Sequence, residues 1–524
     1  MNKSIRLSYK LFFTLAVIYL ALPVIIFFLG YMKILFGLVF AALISLGIFF
    51  AIRDAVKDPD GNLCSMGSDI SFPLSFLIIT AIFALAVTVT NGVGEYTWGP
   101  FDHAYRRAIL NDLINYKWPI IYDPSTQTNP EVKELLNLNG NQGFVYYFTY
   151  WLPSALIGKV FGFSAGNISL VIWNSAGIFL IIIGMCKYIK KASFGTLFML
   201  LCFSGLDVIP YLINLIHPYD GWAWLEGWVP YVSFISNFNN LENVYHQAVP
   251  CYLIITLILL AKNNRSTGLV ASLMFAYSPW ATIGLLLPAA ARLFSPDLKA
   301  SEKKKNVVNV FSYNNLAIPL LMLFVYGTFY GAKSGALHMK GFLWEFYGGD
   351  ILKFIVVYIL LFVVEILPSL VFVIGKHKKD PMLISAVAVL LILPFYFLSE
   401  GNNLVMRGSM PALFILCIFM AERIAVFTTE DEKTRNSKNK ERRGTKETLI
   451  RIAFSLVIIG MTYVTYYMVT VIYPMTFFSD ERYTDKIVSF GNIAHNESDF
   501  VEVIQDQFFV ESPEDTFFFK YLAK

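Results

Sequence analysis

An aspartate stands where an apolar run meets water. The run Phe72–Thr90 is long enough to cross a bilayer, and EYTWGPFDHAYRRAILNDLINYKWPIIY (Glu95–Tyr122) follows it. Asp102 and His103 come first in that stretch, then Arg106 and Arg107. A carboxylate kept at the edge of hydrocarbon is expensive, so it usually has a task. Beside a weak nucleophile such as a hydroxyl it can take the proton. The competing reading is structural: an aspartate at a helix start can cap the free amides of Ala104 or Tyr105. Further polar residues gather at the ends of apolar runs. They are Asp207 in SGLDVIP, His246 and Gln247, Arg407 in NNLVMRGSMP, and His338 and Lys340 in GALHMKG. A fixed cation in such a place can hold and neutralise a phosphate. Arg407 is the first candidate, with His338 and Lys340 next; the plainer reading of Arg407 is a snorkelling anchor. Glu365, mid-run in FVVEILP, is accounted for by a hydrogen bond between helices.

Seven of the nine tryptophans fall in loops on one expected side. An aromatic belt explains most of them. The cluster HPYDGWAWLEGWVP (His217–Pro230) is too dense for a belt alone and suits a wall on which sugar rings stack. The expected substrate pocket therefore holds His103, Arg106, Asp207, Trp222, Trp224 and His246. Asp102, Asp112 and Asp123 could collect Mg²⁺ or Mn²⁺, although no spacing demands a metal.

These residues need a membrane scaffold. Of 524 residues 56% are hydrophobic and 15% charged, well below the roughly 25% charged of a soluble domain. Positive charge follows topology here, so the net +4 does not point to nucleic acid. The five cysteines imply no disulfide framework, because four lie in apolar runs and Cys64 in a loop expected inside the cell. Apolar runs place thirteen spans: Leu11–Leu29, Lys33–Ile52, Phe72–Thr90, Ser169–Cys186, Phe194–Leu212, Ala248–Leu260, Gly268–Tyr277, Ala281–Leu293, Leu316–Tyr330, Ile351–Ile374, Met382–Leu398, Met410–Thr428 and Ile450–Tyr473. The expected fold is an all-α integral membrane protein.

Residues 1–474 form the membrane domain. Within it, 91–166 is a long outer loop and 213–247 an aromatic outer loop. Residues 429–448 make a charged cytoplasmic linker, and 475–524 an outer tail that packs against the loops. Gly143–Gly162 is apolar enough to span but reads better as a helix on the membrane surface, because Lys187, Lys190 and Lys191 then stay inside. Ser278-Pro279-Trp280 breaks one apolar stretch into two short helices. Under this arrangement 27 of the 41 Lys and Arg residues lie inside. The N-terminus is then cytoplasmic and the C-terminus extracytoplasmic. No internal repeat is visible, which speaks against a transporter.

The run from GPFDHAYRRAI through YYFTYWLPSALIGKVFG resembles the first outer loop of the GT-C class of integral-membrane glycosyltransferases. That class includes protein O-mannosyltransferases, the aminoarabinose transferase of lipid A and oligosaccharyltransferases. In it an acidic catalytic residue follows a span, and two surface helices precede re-entry into the membrane. The likeness covers residues 72–190, and the rest by architecture. It departs where His103 takes the place of a second acidic residue and where Asn167-Ile168-Ser169 offers no arginine. What it implies is a GT-C-like bundle in a bacterial plasma membrane. Such an enzyme moves a sugar, with inversion, from a polyprenyl-phosphate donor to a glycan, lipid or protein acceptor, with Asp102 as base. Alternatives are a polymerase or ligase of lipid-linked glycans, and a lipid or solute transporter.

Overall fold

A computed structural model describes residues 4–57, 69–123, 140–218, 224–295, 309–333, 339–436, 445–478, 489–491 and 508–524. The chain is an α-helical membrane protein. Six of the described helices are long and apolar enough to cross a bilayer: Tyr9–Tyr31, Ile34–Asp54, Phe163–Ile189, Ile351–His377, Asn403–Thr429 and Thr445–Phe478. Four shorter apolar helices accompany them: Leu74–Thr90, Tyr245–Leu260, Thr267–Ala276 and Pro381–Phe395.

The centre and the rim of the bundle differ in what they bury. Asn403–Thr429 is 78% buried over its most apolar window, whereas Thr445–Phe478 is 22% buried over its own. The outer helices turn Ile34, Leu35, Phe49, Leu352, Leu456 and Ile459 outward. So much exposed apolar surface suits hydrocarbon as solvent and not water. The first two helices fold back at Met32-Lys33 and approach closely because Gly37 packs on the Phe28 carbonyl, where a Cβ would sit 2.5 Å from the oxygen.

Small β pairings fix which ends share a side. Ser4–Leu7 pairs antiparallel with Ile70–Pro73, which joins the starts of the first and third helices. At the other end the Lys33 amide donates to the Leu522 carbonyl at 2.8 Å, and the Lys524 amide to the Tyr31 carbonyl at 3.0 Å. A three-stranded sheet joins Ile121–Tyr122, Gln142–Phe144 and Phe509–Glu511. The loop carrying Asp102 and the end of the chain are thus one structure.

Two expected elements change form. The span Phe194–Leu212 is two helices, Phe194–Cys202 and Val208–Ile216, separated by 203–207. The cause is tertiary. Phe362–Ile366 makes a π-turn in the facing helix, and its Val364 carbonyl accepts the Leu206 amide at 3.0 Å. Gly205 lies hard against the Glu365 carboxyl, where a side chain would not fit. Gly143–Gly162 is not one surface helix. It contains the strand Gln142–Phe144, a turn at Thr149–Trp151 and the helix Leu152–Phe161. Ten residues span roughly 15 Å, too short to cross. One face of that helix is buried through Leu152, Ala155 and Gly158, while Val160 and Phe161 project outward. The break at Ser278 is present, with Ser278 Oγ accepting the Ala281 amide at 3.1 Å and Pro279 opening the next helix.

Candidate functional site at the junction of two cavities

The helix Asp102–Asn115 begins on a tight turn. The His103 amide donates to Pro100 O at 2.8 Å, and the Ala104 amide to Phe101 O at 3.2 Å. The Ala104 amide is therefore engaged, Phe101 and not Asp102 holds the N-cap position with no side chain capping the helix, and the Asp102 carboxylate turns onto Arg106, 3.1 Å away. The capping reading of Asp102 does not describe this geometry. Asp102 is 42% exposed while Arg106 is 7% exposed. The Nε and Nη1 atoms of Arg106 are buried and meet no partner among the described residues. An unsatisfied buried guanidinium is costly. It marks a place where an anion would be welcome.

Arg407 reaches the same place from the other side of the bundle. It sits on the helix Asn403–Gly408, whose start is set by Asn402: the side-chain amide donates to Tyr231 O at 3.0 Å. Ser399, Gly401 and Asn402 all hold positive φ, at 68°, 61° and 56°. Backbone of this kind persists where its surroundings over-determine it, and such sites cluster at binding sites. Arg407 Nη1 contacts Asn240 Oδ1 at 3.4 Å.

Two cavities meet at these residues. One, about 300 Å³, is lined by Asp102, Arg106, Arg407, Tyr146, Tyr147 and Gln247, with Phe508 of the tail closing it. The other, about 800 Å³, is lined by Trp224, Glu226, Tyr231, Asn239, Phe397 and Met468 among others. Asp102, Gly401, Met406 and Arg407 line both. A small cationic chamber thus opens onto a larger aromatic one, with a carboxylate at the doorway.

The other expected site residues are distributed differently. His103 is buried, with Nε2 2.9 Å from Glu242 O, and lines neither cavity. Neighbouring helix residues do not share a face, so His103 turns into the protein where Asp102 turns out. Burial, with the Arg106 charge beside it, pushes its pKa down to about 3 and keeps it neutral. Asp207 is wholly buried against Glu365, whose carboxyl accepts the Trp228 indole N–H at 2.9 Å. It belongs to the broken helix and lines neither cavity. His246 is buried behind the chamber, stacked on Tyr147 with centroids 5.8 Å apart and packed on Trp151 at 4.5 Å. Lys340 is exposed on a strand opposite Leu398 and lines neither cavity, although Met339 beside it does. Trp224 lines the aromatic cavity. Trp222 and His338 lie outside the described residues.

The carboxylates expected to gather a metal are apart in role. Asp112 is buried and accepts from Ser489 Oγ at 2.6 Å, the Phe490 amide at 2.9 Å and Tyr122 OH at 2.8 Å. It ties the tail to the loop. Among the described residues no three His, Cys, Asp or Glu side chains form a metal-binding group. Among the described residues, the donor set for a carboxylate-bound Mg²⁺ or Mn²⁺ is therefore not assembled around Asp102.

Glu226, which lines the larger cavity, and Glu242, buried behind Arg106 and lining neither, were not expected from the sequence. Glu226 accepts from the Ser236 amide and from Asn239 Nδ2. Burial, reinforced by Asp207, pushes its pKa up to about 8. Glu242 Oε1 is buried without a partner among the described residues. Burial and the neighbouring Glu226 raise its pKa to about 8 as well. The run SNFNNLENVYHQ (Ser236–Gln247) is the signal that could have found them, a dense polar stretch leading into an apolar helix. Tyr146 and Tyr147 lay hidden in what reads as an apolar surface helix.

The chain matches no protein-family model, no curated protein and no solved structure.

Proposed function

We propose that this chain is an integral-membrane glycosyltransferase of the GT-C type, using a polyprenyl-phosphate sugar with Asp102 as general base. The observation that carries the proposal is the meeting of Asp102, Arg106 and Arg407 where the two cavities join. A sugar phosphate leaves readily when cations meet its charge. Arg106 offers its Nε and Nη1, unpartnered among the described residues, and Arg407 lines the same chamber. The aromatic cavity suits a sugar ring and an acceptor. Asp102 takes the proton of the acceptor hydroxyl as its oxygen bonds to the anomeric carbon. The bond from that carbon to the phosphate oxygen breaks, and the polyprenyl phosphate leaves with the electron pair. One displacement of this kind inverts the anomeric carbon. No step requires a metal.

The same reading takes thirteen spans in a bacterial plasma membrane, with the N-terminus inside and the site outside. The 27-to-14 division of Lys and Arg supports that orientation. So do the contacts that join the Met32-Lys33 turn, the Asp102 loop and the end of the chain on one side.

The test is transfer by the purified full chain from a panel of labelled undecaprenyl-phosphate sugars. We expect at least one donor to bind and to release its sugar to an acceptor. If none of the panel binds, the proposal fails.

A further inference from the structure

We propose that a second groove, sharing no lining residue with the two cavities, is a binding site for an anionic phospholipid. It measures about 500 Å³ and lies between the first helix and the helix Leu152–Phe161. Ile26, Leu29 and Leu156 make its apolar walls, and Lys117, Lys159 and Lys524 its rim. Trp118 forms the floor. Its indole N–H donates to Leu113 O at 2.8 Å, and Gly30 packs on the ring, where a Cβ would come within 2.6 Å of Cε3. The depth of the groove therefore depends on glycine at that position.

The rim is built for an anion. Lys159 Nζ donates to Ile114 O at 3.0 Å and Tyr116 O at 2.7 Å, and stands 5.1 Å from the Trp118 ring. That leaves one of its three N–H groups for a ligand. Lys524 Nζ donates to Leu29 O at 2.8 Å, which leaves two. Lys117 is exposed and has no hydrogen bond or ion pair among the described residues. No Asp or Glu among the described residues lines the groove. A zwitterionic headgroup would bring its own cation against these ammonium groups, whereas a phosphatidylglycerol headgroup brings only the phosphate. The occupant's chain has somewhere to go. Leu29, Leu156, Val160 and Phe161 are 43, 40, 72 and 71% exposed and continue the apolar wall outward. A tryptophan and lysines beside such a surface are the usual furniture of a headgroup boundary.

The test uses the full chain in nanodiscs and needs no knowledge of its reaction. Acyl chains brominated near the headgroup quench tryptophan on contact, and the difference between the natural chain and Trp118→Phe isolates the Trp118 signal. At equal mole fraction we expect brominated phosphatidylglycerol to quench that signal more than brominated phosphatidylcholine. Each ammonium should contribute on the order of fivefold to the preference. Lys117→Glu, at an exposed position with no partner among the described residues, should reduce the preference without touching the fold, and Lys117→Gln/Lys159→Gln should cut it to the roughly fivefold share of Lys524. Soluble glycerol 3-phosphate should not restore the quencher-free signal. Equal quenching by the two lipids, or full displacement by glycerol 3-phosphate, overturns the proposal.

Discussion

Asp102 and Asp112 stand near opposite ends of one helix and live in opposite surroundings. Asp102 is 42% exposed and, among the described residues, holds one partner, a guanidinium that is itself mostly unsatisfied there. Asp112 is fully buried, and three donors from the loop and the tail close on it. The second arrangement is what a fold needs: every polar atom answered, so that burial is tolerable. The first is what a site needs, with charge left available at the mouth of a chamber. The difference teaches which of two identical side chains to suspect, and it rests on the company each keeps.

The largest effect expected from that contrast is on turnover. Asp102→Asn keeps the size of the side chain and removes the base, so sugar transfer should fall by roughly 10²–10⁴-fold, the range of acid–base catalysis. Donor binding and melting temperature should hold. Asp112→Asn should do the reverse, with turnover per folded molecule near normal. Assay of both purified variants with the same labelled donor decides it; near-normal transfer by Asp102→Asn removes Asp102 from the mechanism.

The next effect is on donor affinity. A charge-assisted hydrogen bond is worth roughly 1.5–3 kcal/mol, so Arg407→Ala and Arg106→Gln should each weaken binding of a polyprenyl phosphate by about 10- to 100-fold. Arg407→Lys should recover part of the loss, because lysine lacks the planar fork. Unchanged affinity in both variants, measured by calorimetry, would move the phosphate out of the small chamber.

Two sequence signals pointed to residues that line the cavities: a charge at the end of an apolar run for Asp102 and Arg407, and a dense tryptophan cluster for Trp224. The break at Ser278-Pro279 was legible because its chemistry is local: a capping hydroxyl followed by proline. The parts that escaped depend on distant partners. The interruption at 203–207 is set by Glu365 and the Val364 carbonyl, far along the chain and invisible to a local pattern. His103 sits beside Asp102 in sequence but points elsewhere, because one step along a helix turns about 100°. Tyr146 and Tyr147 look like membrane-surface aromatics until the tail and Arg106 meet them. Periodicity finds which runs are apolar; it does not say which polar side chains converge.

On the structural side of the comparison, Asp112→Ala leaves Ser489, Phe490 and Tyr122 without their acceptor. Such unanswered buried donors cost roughly 1–3 kcal/mol, to be read as a lower melting temperature and faster proteolysis of the tail. The pH dependence follows from the raised pKa of Asp112, about 7, where burial outweighs the three donors. Because the folded value lies above the ordinary carboxyl value, the contribution is full below about pH 4 and is lost as pH rises through about 7. Tail docking should therefore be tighter at pH 5.5 than at pH 8, and Asp112→Asn should flatten that slope.

The smallest effect expected separates the chamber from the acids behind it. Glu242 lies close enough to Arg106 for their charges to interact, and its pKa is raised to about 8 by burial and by Glu226. Near neutral pH it is mostly uncharged, and Arg106 faces the chamber with only Asp102 opposed to it. Above pH 8 a second carboxylate appears beside Arg106 and competes with any anion for it. Affinity for a polyprenyl-phosphate sugar should then fall about three- to tenfold, the equivalent of one screened charge interaction of roughly 1 kcal/mol. The probe is a phosphodiester and keeps a single charge across this range, so the change belongs to the protein. Glu242→Gln should give a flat profile from pH 7 to 9. Glu226→Gln should keep the fall and move it to lower pH, because removing one acid relieves the other. A wild-type affinity that does not change between pH 7 and 9 would disconnect Glu242 from the anion chamber.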